Sequence, residues 1–476
     1  MASIMIQGTM SGVGKSLLTA ALCRILSDDG YKVAPFKSQN MALNSYVTPD
    51  GFEIGRAQAL QAAACRCEPS VLHNPILLKP TADHVSQVIL HGEVLSDMTA
   101  RDYFKKRREF MPEIMASFER LSRENDVVVI EGAGSPVELN LNRDDIVNMG
   151  LAKETGSPVV LVGDIDPGGI FAQMLGTLDL LEENRHRVKA LIVNKFRGDR
   201  RLFDDGVKIL EERGKVPVAG VIPYFRNTLD EEDSLTSRFS ARNDAPVKIA
   251  VIHLPHISNF TDVDVFREYD EADVFFAHKP EDLENADMII IPGSKSVISD
   301  MEYLERFGNM IRKKSADTLV FGICGGYEMM GDVISDPDNC VGGGECKGLS
   351  LLPVNTVITD KKERRQIKGT VTDGILTGAA YSGYEIHMGH TTGGTAFTDH
   401  NNSAFKGNVY GTFIHGFFDE QGISGSIMKM LCERKGIPFS GTKNSRSAQV
   451  ESELSELADI VRNNMDMELI RKVAGL

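Results

Sequence analysis

Two groups of residues in this chain have the types and spacing that chemistry needs. Near the start, Gly8-Thr9-Met10-Ser11-Gly12-Val13-Gly14-Lys15-Ser16 follows a short apolar run and precedes an apolar helix. Backbone N–H groups at Gly12 and Gly14 can converge on phosphate oxygens there, with Lys15 reaching the terminal phosphates and Ser16 binding Mg²⁺. Far along the chain, Gly322-Ile323-Cys324-Gly325-Gly326 sets a thiol at a strand-to-helix elbow. Small neighbours permit the tight turn, and the N-terminus of a following helix stabilises a thiolate and offers N–H groups, that of Gly325 among them, to an oxyanion.

A nucleophile needs a base, and Gly411-Thr412-Phe413-Ile414-His415-Gly416 places His415 at the end of another strand, where it can take the thiol proton and return it to leaving ammonia. Pro292-Gly293-Ser294 offers a second oxyanion donor at Gly293. In the first half, Glu131 ends an apolar run beside Gly132-Ala133-Gly134 and is the leading metal-ligand candidate, with Asp164 and Asp166 after the next run as further candidates. Asn194 and Arg197, in Asn194-Lys195-Phe196-Arg197, are placed to read a nucleotide base. The plainer readings, an empty glycine turn and an inert buried thiol, carry less weight because each motif sits at a strand-to-helix junction.

These residues need strands that end together. Buried β-rich runs at 4–6, 126–130, 158–162, 188–193 and 216–222 alternate with longer amphipathic stretches, which predicts a parallel sheet covered by helices. The pattern fails over the polar segment 225–246, read as a linker. It restarts at 248–253, 288–291 and 318–323, the last followed by a helix from Tyr327. The expected organisation is α/β: a nucleotide-binding domain over 1–224, a second α/β domain over 247–445, and a helical extension over 446–476. In that extension Leu454, Leu457, Ile460 and Val461 have amphipathic spacing for docking. The Gly-rich 341–348 reads as a loop, and the charged 361–366 as a solvated face.

Composition agrees with two domains: 476 residues exceed what one core usually organises, and 42% hydrophobic with 25% charged residues is ordinary for a globular protein. A net charge of -15 disfavours a general grip on nucleic acid. The seven cysteines have no zinc-finger spacing, Cys65 and Cys67 read as packing residues, and a reduced, cytoplasmic protein is expected. The start reads as a first strand rather than a signal peptide, and no apolar run approaches the roughly 20 residues that span a membrane. A homo-oligomer stays open.

Taken together, the motifs resemble the class I glutamine amidotransferases of the triad type and, more narrowly, the cobyric acid synthases. The long loop, with five residues between Gly8 and Gly14, is similar to that of the dethiobiotin synthetase group. Further segments carry the likeness: 37–45 (Lys37-Ser-Gln-Asn-Met-Ala-Leu-Asn-Ser45), Asn74-Pro75, Leu77-Leu78-Lys79-Pro80, Glu131 to Pro136, and Gly383-Tyr384-Glu385-Ile386-His387-Met388-Gly389. The resemblance implies a dethiobiotin-synthetase-like P-loop domain joined to a flavodoxin-like amidotransferase domain. It also implies ATP, Mg²⁺ and glutamine as requirements, and four successive amidations of adenosylcobyrinic acid a,c-diamide at its b, d, e and g carboxylates through acyl phosphates. Lys37, Gln39 and Asn40 would meet phosphate or corrinoid.

Two departures stand out. Phe417 occupies a position where many relatives carry the glutamate that orients the histidine, which leaves Asp419 as a candidate partner, and Pro167 replaces the arginine common after Asp164-Ile165-Asp166. The rival readings are an a,c-diamide synthase acting on an earlier tetrapyrrole, a partitioning-type ATPase regulator, and an amidase without ligation. The segment 37–45 speaks against the first, Cys324 with His415 against the second, and the P-loop with Glu131 against the third.

Overall fold

The computed structural model describes residues 2–82, 85–140, 144–225, 229, 244–441 and 445–476. Most of the expected linker, 226–228 and 230–243, lies outside the described residues. The first sheet has six parallel strands in the spatial order Val218–Pro223, Val188–Phe196, Val159–Asp164, Ala2–Gly8, Val127–Glu131, Val33–Phe36. Its strands are apolar throughout because both faces are covered. Ile4, Ile6, Val127, Val129, Val160 and Val162 enter one core, while Met5, Val128, Ile130, Val159 and Leu161 enter the other. That is the period-two alternation of a strand read on both sides.

One face carries the helix Lys15–Asp28, whose start is the P-loop. Against it pack Arg446–Asn463 and Met467–Ala474, which place Leu454, Leu457, Ala458, Val461 and Ile470 in the same core as Leu18 and Leu22. The C-terminal extension therefore docks on the first domain, not on the second domain that precedes it in the chain. Arg24, wholly buried, anchors it through Glu451 at 2.5 Å.

Between the second and third strands of this sheet the chain builds a separate four-stranded sheet from Gln39–Met41, Ile76–Ala82, Val85–Leu90 and Glu93–Thr99. It holds the segment 37–45 against the second domain.

The second domain's main sheet runs Ala272–Ala277, Val247–Ile252, Met288–Ile291, Leu319–Ile323, Val409–Thr412, Ser403–Lys406, all parallel except the last hairpin. Three expectations change here. The helix expected from Tyr327 spans Gly325–Met329 alone, because Gly331 then packs so close to Val354 that an added Cβ would lie 2.6 Å from its carbonyl oxygen. Part of the Gly-rich 341–348 is a strand, Gly344–Lys347, paired antiparallel to Val333–Asp336.

Residues 361–366 are a solvated face on one side only: Lys361, Glu363 and Arg365 are exposed, while Lys362 and Arg364 are not. They belong to the strand Val354–Thr370, paired with Ala380–Gly393 in a long hairpin, and alternate side chains turn towards the first domain. Lys362 pairs with Glu53 at 2.5 Å, Arg364 donates to the Gly92 carbonyl, and Gln366 donates to the Val47 carbonyl.

Glu53 also meets Lys79 at 2.5 Å, and its side chain is fully buried. Burial alone would raise its pKa, but Lys362, Lys79 and Lys295 outweigh that and hold it well below the usual carboxylate range. Replacing Glu53 by Gln leaves buried ammonium groups without their anion. The expected cost is about 3–5 kcal/mol, read as a lower thermal unfolding midpoint for the full chain; an unchanged midpoint would show that the cluster does not hold the domains together.

Candidate active site

Four neighbouring strands of the first sheet end at one edge, and their register sets the site: Ile6 lies beside Glu131, Gly8 beside Val162, and Asp164 beside Asn194. The chain turns from Gly8 into the helix at Lys15 through Gly14, whose φ of 91° is left-handed and whose Cα faces Asn194 so closely that a Cβ would lie 2.4 Å from Nδ2. Asn194 Nδ2 donates to the Val13 carbonyl at 2.8 Å and Lys195 Nζ to that of Gly12 at 2.6 Å, so this strand end braces the loop. Lys15 Nζ donates to the carbonyls of Met10 at 3.1 Å and Gly134 at 3.3 Å.

Glu131 is the hub. Its Oε1 accepts the Ser16 hydroxyl at 2.8 Å and Lys37 Nζ at 3.0 Å, and its Oε2 accepts Gln61 Nε2 at 2.5 Å. Burial pushes the carboxyl pKa up, but Lys37, Gln61 and Ser16 together hold it below the ordinary value, so it is an anion. Ser16, Lys37 and Glu131 are thus brought together, and Gln61 is an addition that the motif reading missed. The signal lay in Gln58 and Gln61, polar residues on the otherwise alanine-rich helix Arg56–Ala64, both buried.

Asp164 stands apart from that hub, with Oδ2 at 3.0 Å from Lys195 and Oδ1 accepting the Asp166 N–H at 2.9 Å. Asp166 is taken up by Arg197 at 2.7 Å, and the Arg197 guanidinium lies 3.5 Å over the Tyr224 ring. Among the described residues no three His, Cys, Asp or Glu side chains gather as a metal cluster.

In the second domain, Cys324 follows the strand Leu319–Ile323 with φ 52° and ψ −115°. A residue other than glycine in that region is strained by roughly 1–3 kcal/mol, and the strain is held by crowding. A Cβ at Gly326 would lie 2.0 Å from the Ile291 carbonyl oxygen, so only glycine lets the turn pass this close to the neighbouring strand. The Cys324 sulfur rests 3.6 Å from the Ile386 carbonyl.

His415 is fully buried, and its Nδ1 lies 2.7 Å from Asp262 Oδ2, while Asp262 Oδ1 accepts the Gly416 N–H at 2.8 Å. The two bonds fix the carboxylate, and the carboxylate fixes the ring with a proton on Nδ1, leaving Nε2 as the nitrogen that can exchange a proton. Burial pulls the His415 pKa down, but Asp262 and Cys324 outweigh it and bring it to about 9.

The partner of His415 is therefore Asp262, not Asp419. Phe417, at the position of the missing glutamate, is buried against Phe321. Asp262 escaped the sequence reading because it lies 153 positions from His415. Its one local signal is an acid inside the apolar run Phe260, Val263, Val265, Phe266, all of them buried.

Both expected oxyanion glycines border this pair. A Cβ at Gly293 would stand 3.5 Å from His415 Cε1, and one at Gly325 would stand 2.8 Å from the Ser294 nitrogen. The pocket that holds Cys324 is lined by Ser294, Glu328 and His387 of the same domain and by Lys79 of the first. Burial raises the Glu328 pKa to about 8, so the pocket presents a neutral carboxyl at neutral pH.

Comparison with known proteins agrees with this pairing of centres. Residues 4–235 match the family model of the CobQ/CobB/MinD/ParA nucleotide binding domain, and residues 248–423 match the CobB/CobQ-like glutamine amidotransferase domain. The first of these implies ATP use. The chain is 48% identical to the cobyric acid synthase of Lachnoclostridium phytofermentans over 99% of its own length and 98% of that protein. It is 47% identical to the cobyric acid synthase of Clostridium kluyveri (100% and 99%) and 46% identical to that of Dehalococcoides mccartyi (98% and 97%). A P-loop domain and a glutamine amidotransferase domain, matched end to end with these relatives, make this chain a member of the cobyric acid synthase family of amidoligases.

Proposed function

We propose that the enzyme amidates the b, d, e and g carboxylates of adenosylcobyrinic acid a,c-diamide in turn, using ATP and the ammonia of glutamine. The observation that carries this reading is that the Cys324 pocket is walled on one side by Lys79 of the ATP domain, so the first domain takes part in closing the glutaminase pocket. The seven free cysteines suit a reducing cytoplasm, and no helix among the described residues is long and apolar enough to cross a membrane.

At the glutaminase, the Cys324 sulfur attacks the carboxamide carbon while His415 Nε2 takes the thiol proton. The N–H groups of Gly325 and Gly293 would hold the oxyanion, and collapse to the thioester expels ammonia with the proton from Nε2. Water, deprotonated by the same nitrogen, then releases glutamate.

At the P-loop, Lys15 would exchange its two carbonyl partners for phosphate oxygens, and Lys37 would share its charge between Glu131 and the transferring phosphoryl group. The Ser16 hydroxyl, the Glu131 carboxylate and Gln61 Oε1, a buried oxygen with no hydrogen-bond partner among the described residues, are hard donors that fit Mg²⁺. When bound there, Mg²⁺ offsets charge on the β- and γ-phosphates. The acyl phosphate formed from the acceptor is attacked by ammonia, a C–N bond replaces the C–O bond, and phosphate leaves.

Mass spectrometry of adenosylcobyrinic acid a,c-diamide incubated with the protein, MgATP and glutamine should show four successive replacements of hydroxyl by amino groups, none without ATP. An unchanged acceptor together with amidation of an earlier tetrapyrrole would assign the chain to a,c-diamide synthesis instead. Cys324→Ser should abolish glutamine-supported amidation and leave ammonia-supported amidation within a few-fold of normal; loss of both in a folded variant refutes the division of labour.

The pH dependence follows from Asp262. Asp262, with Cys324 adding to it, outweighs burial and raises the His415 pKa from 6.5 to about 9, so the imidazolium that protonates departing ammonia persists until the pH rises through about 9. Glutamate release should fall on the alkaline side there. Asp262→Asn removes the anion, so it should move that limb to lower pH and cut the rate by about 10²–10⁴-fold; an unmoved limb would show that Asp262 does not set the charge of His415.

A further inference from the structure

Ser45 ends the segment 37–45 of the first domain, and each of its polar atoms is held. Its N–H donates to Asn259 Oδ1 at 2.9 Å, its carbonyl accepts the Tyr384 hydroxyl at 2.9 Å, and its Oγ accepts Lys79 Nζ at 2.6 Å. Two of these partners belong to the second domain, and both touch His415. Asn259 Nδ2 lies 3.3 Å from His415 Nε2, and the Tyr384 ring stacks on the imidazole with centroids 5.3 Å apart and planes at 24°. The same segment begins at Lys37, bonded to Glu131 beside the P-loop serine. One short stretch of backbone therefore runs from the phosphate centre to the two side chains that bracket the glutaminase base.

The Ser45 N–H decides which way the Asn259 amide points. Its oxygen must face that donor, so its NH₂ is the group turned to Nε2. With Nδ1–H donated to Asp262, Nε2 is the atom that exchanges a proton with the Cys324 thiol. An amide N–H aimed at Nε2 opposes the protonated ring that a Cys324 thiolate pairs with. Asn259 is held for this purpose in the left-handed region, φ 50° and ψ 41°, which asparagine tolerates better than other side chains.

We propose that Asn259 and Tyr384 are positioning residues through which the segment 37–45 of the ATP domain holds the glutaminase at rest. The proposal depends on the reading of Cys324 and His415 as nucleophile and base. With Ser45 clamped, Asn259 keeps its amide N–H turned to Nε2. When MgATP and the acceptor draw Lys37 towards phosphate, the segment shifts, Ser45 releases the amide oxygen, and Asn259 turns away from Nε2. Glutamine is then hydrolysed only when an acceptor is present to consume the ammonia.

The test is glutamate release from glutamine by the full chain, without and with MgATP plus adenosylcobyrinic acid a,c-diamide, for the unaltered protein, Asn259→Ala, Tyr384→Phe and Cys324→Ser. The unaltered protein should be stimulated by about 5–150-fold, the usual span of coupling between sites. Asn259→Ala should raise the resting rate towards the stimulated one and bring the ratio near one. Tyr384→Phe, which keeps the ring and loses one Ser45 bond, should raise the resting rate less and lower the ratio in part; it carries the test alone if Asn259→Ala does not fold. A resting rate that does not rise, a ratio equal to that of the unaltered protein, or an unaltered protein that the additions leave unstimulated overturns the proposal. Glutamate release by Cys324→Ser would instead overturn the underlying assignment of the nucleophile, and the coupling with it; an inactive Cys324→Ser with a normal ratio in Asn259→Ala removes the coupling only.

Discussion

Three carboxylates, Glu131, Glu53 and Asp262, are almost wholly withdrawn from water, and the cost of stripping an anion of its hydration obliges each to gather charged or N–H donors around it. Those donors come from distant parts of the chain. Glu131 brings the P-loop serine, the lysine after the second strand and a helix glutamine to one point. Glu53 joins Lys79 of its own domain to Lys362 of the other. Asp262 takes one bond from the His415 ring and one from the Gly416 backbone, so the histidine cannot rotate without breaking the other contact. The P-loop, the domain interface and the His415 ring are thus each organised by one buried negative charge.

Geometry at Cys324 rests on a different constraint, the close passage of backbone past backbone. The turn holds a cysteine in a conformation that its Cβ disfavours, and the neighbours prevent relaxation. Gly322 and Gly326 face each other and the next strand at distances where a Cβ at Gly322 would lie 2.8 Å from the Gly326 carbonyl. The strain points the sulfur out of the sheet edge into the pocket, and the parallel neighbour Val409–Thr412 delivers the chain to His415 from the same edge. Strand order, rather than any local signal around the histidine, brings His415 to the edge that carries Cys324.

What could be read from the sequence divides along the same line. The placement of the P-loop, Glu131, Cys324 and Gly293 at strand ends was legible because each stands beside glycines that a packed strand does not otherwise need. Asp262 was not, since its meaning lies in a contact with a residue 153 positions away and its neighbourhood has no glycine signature. The 361–366 stretch misled for a physical reason. A strand with one face on solvent and the other on a polar domain interface has charges at every position, and composition alone cannot separate it from a fully hydrated strand. The amphipathic spacing of Leu454, Leu457 and Val461 announced a partner without naming it, because an apolar stripe is non-directional. That the partner is the first domain follows only from the packing against Leu18 and Leu22.

The interface between the domains has the same asymmetry. Its apolar part is small, with Val47 of the first domain against Tyr384 and Ile386 of the second, and the rest is hydrogen bonds and ion pairs around Glu53, Gln366 and Ser45. A mainly apolar contact would hold the domains with little regard for register, since burial energy changes slowly with sliding. Hydrogen bonds and buried ion pairs weaken steeply with distance and angle, so this surface adds modest net stability but defines one relative placement. That placement is what puts Lys79 in the wall of the Cys324 pocket and Ser45 against Asn259 and Tyr384, the two side chains beside His415. A polar interface can also exchange its partners in discrete steps, where a packed apolar one resists small displacements. The domains are consequently joined by the kind of contact that fixes their orientation and can exchange partners without sliding.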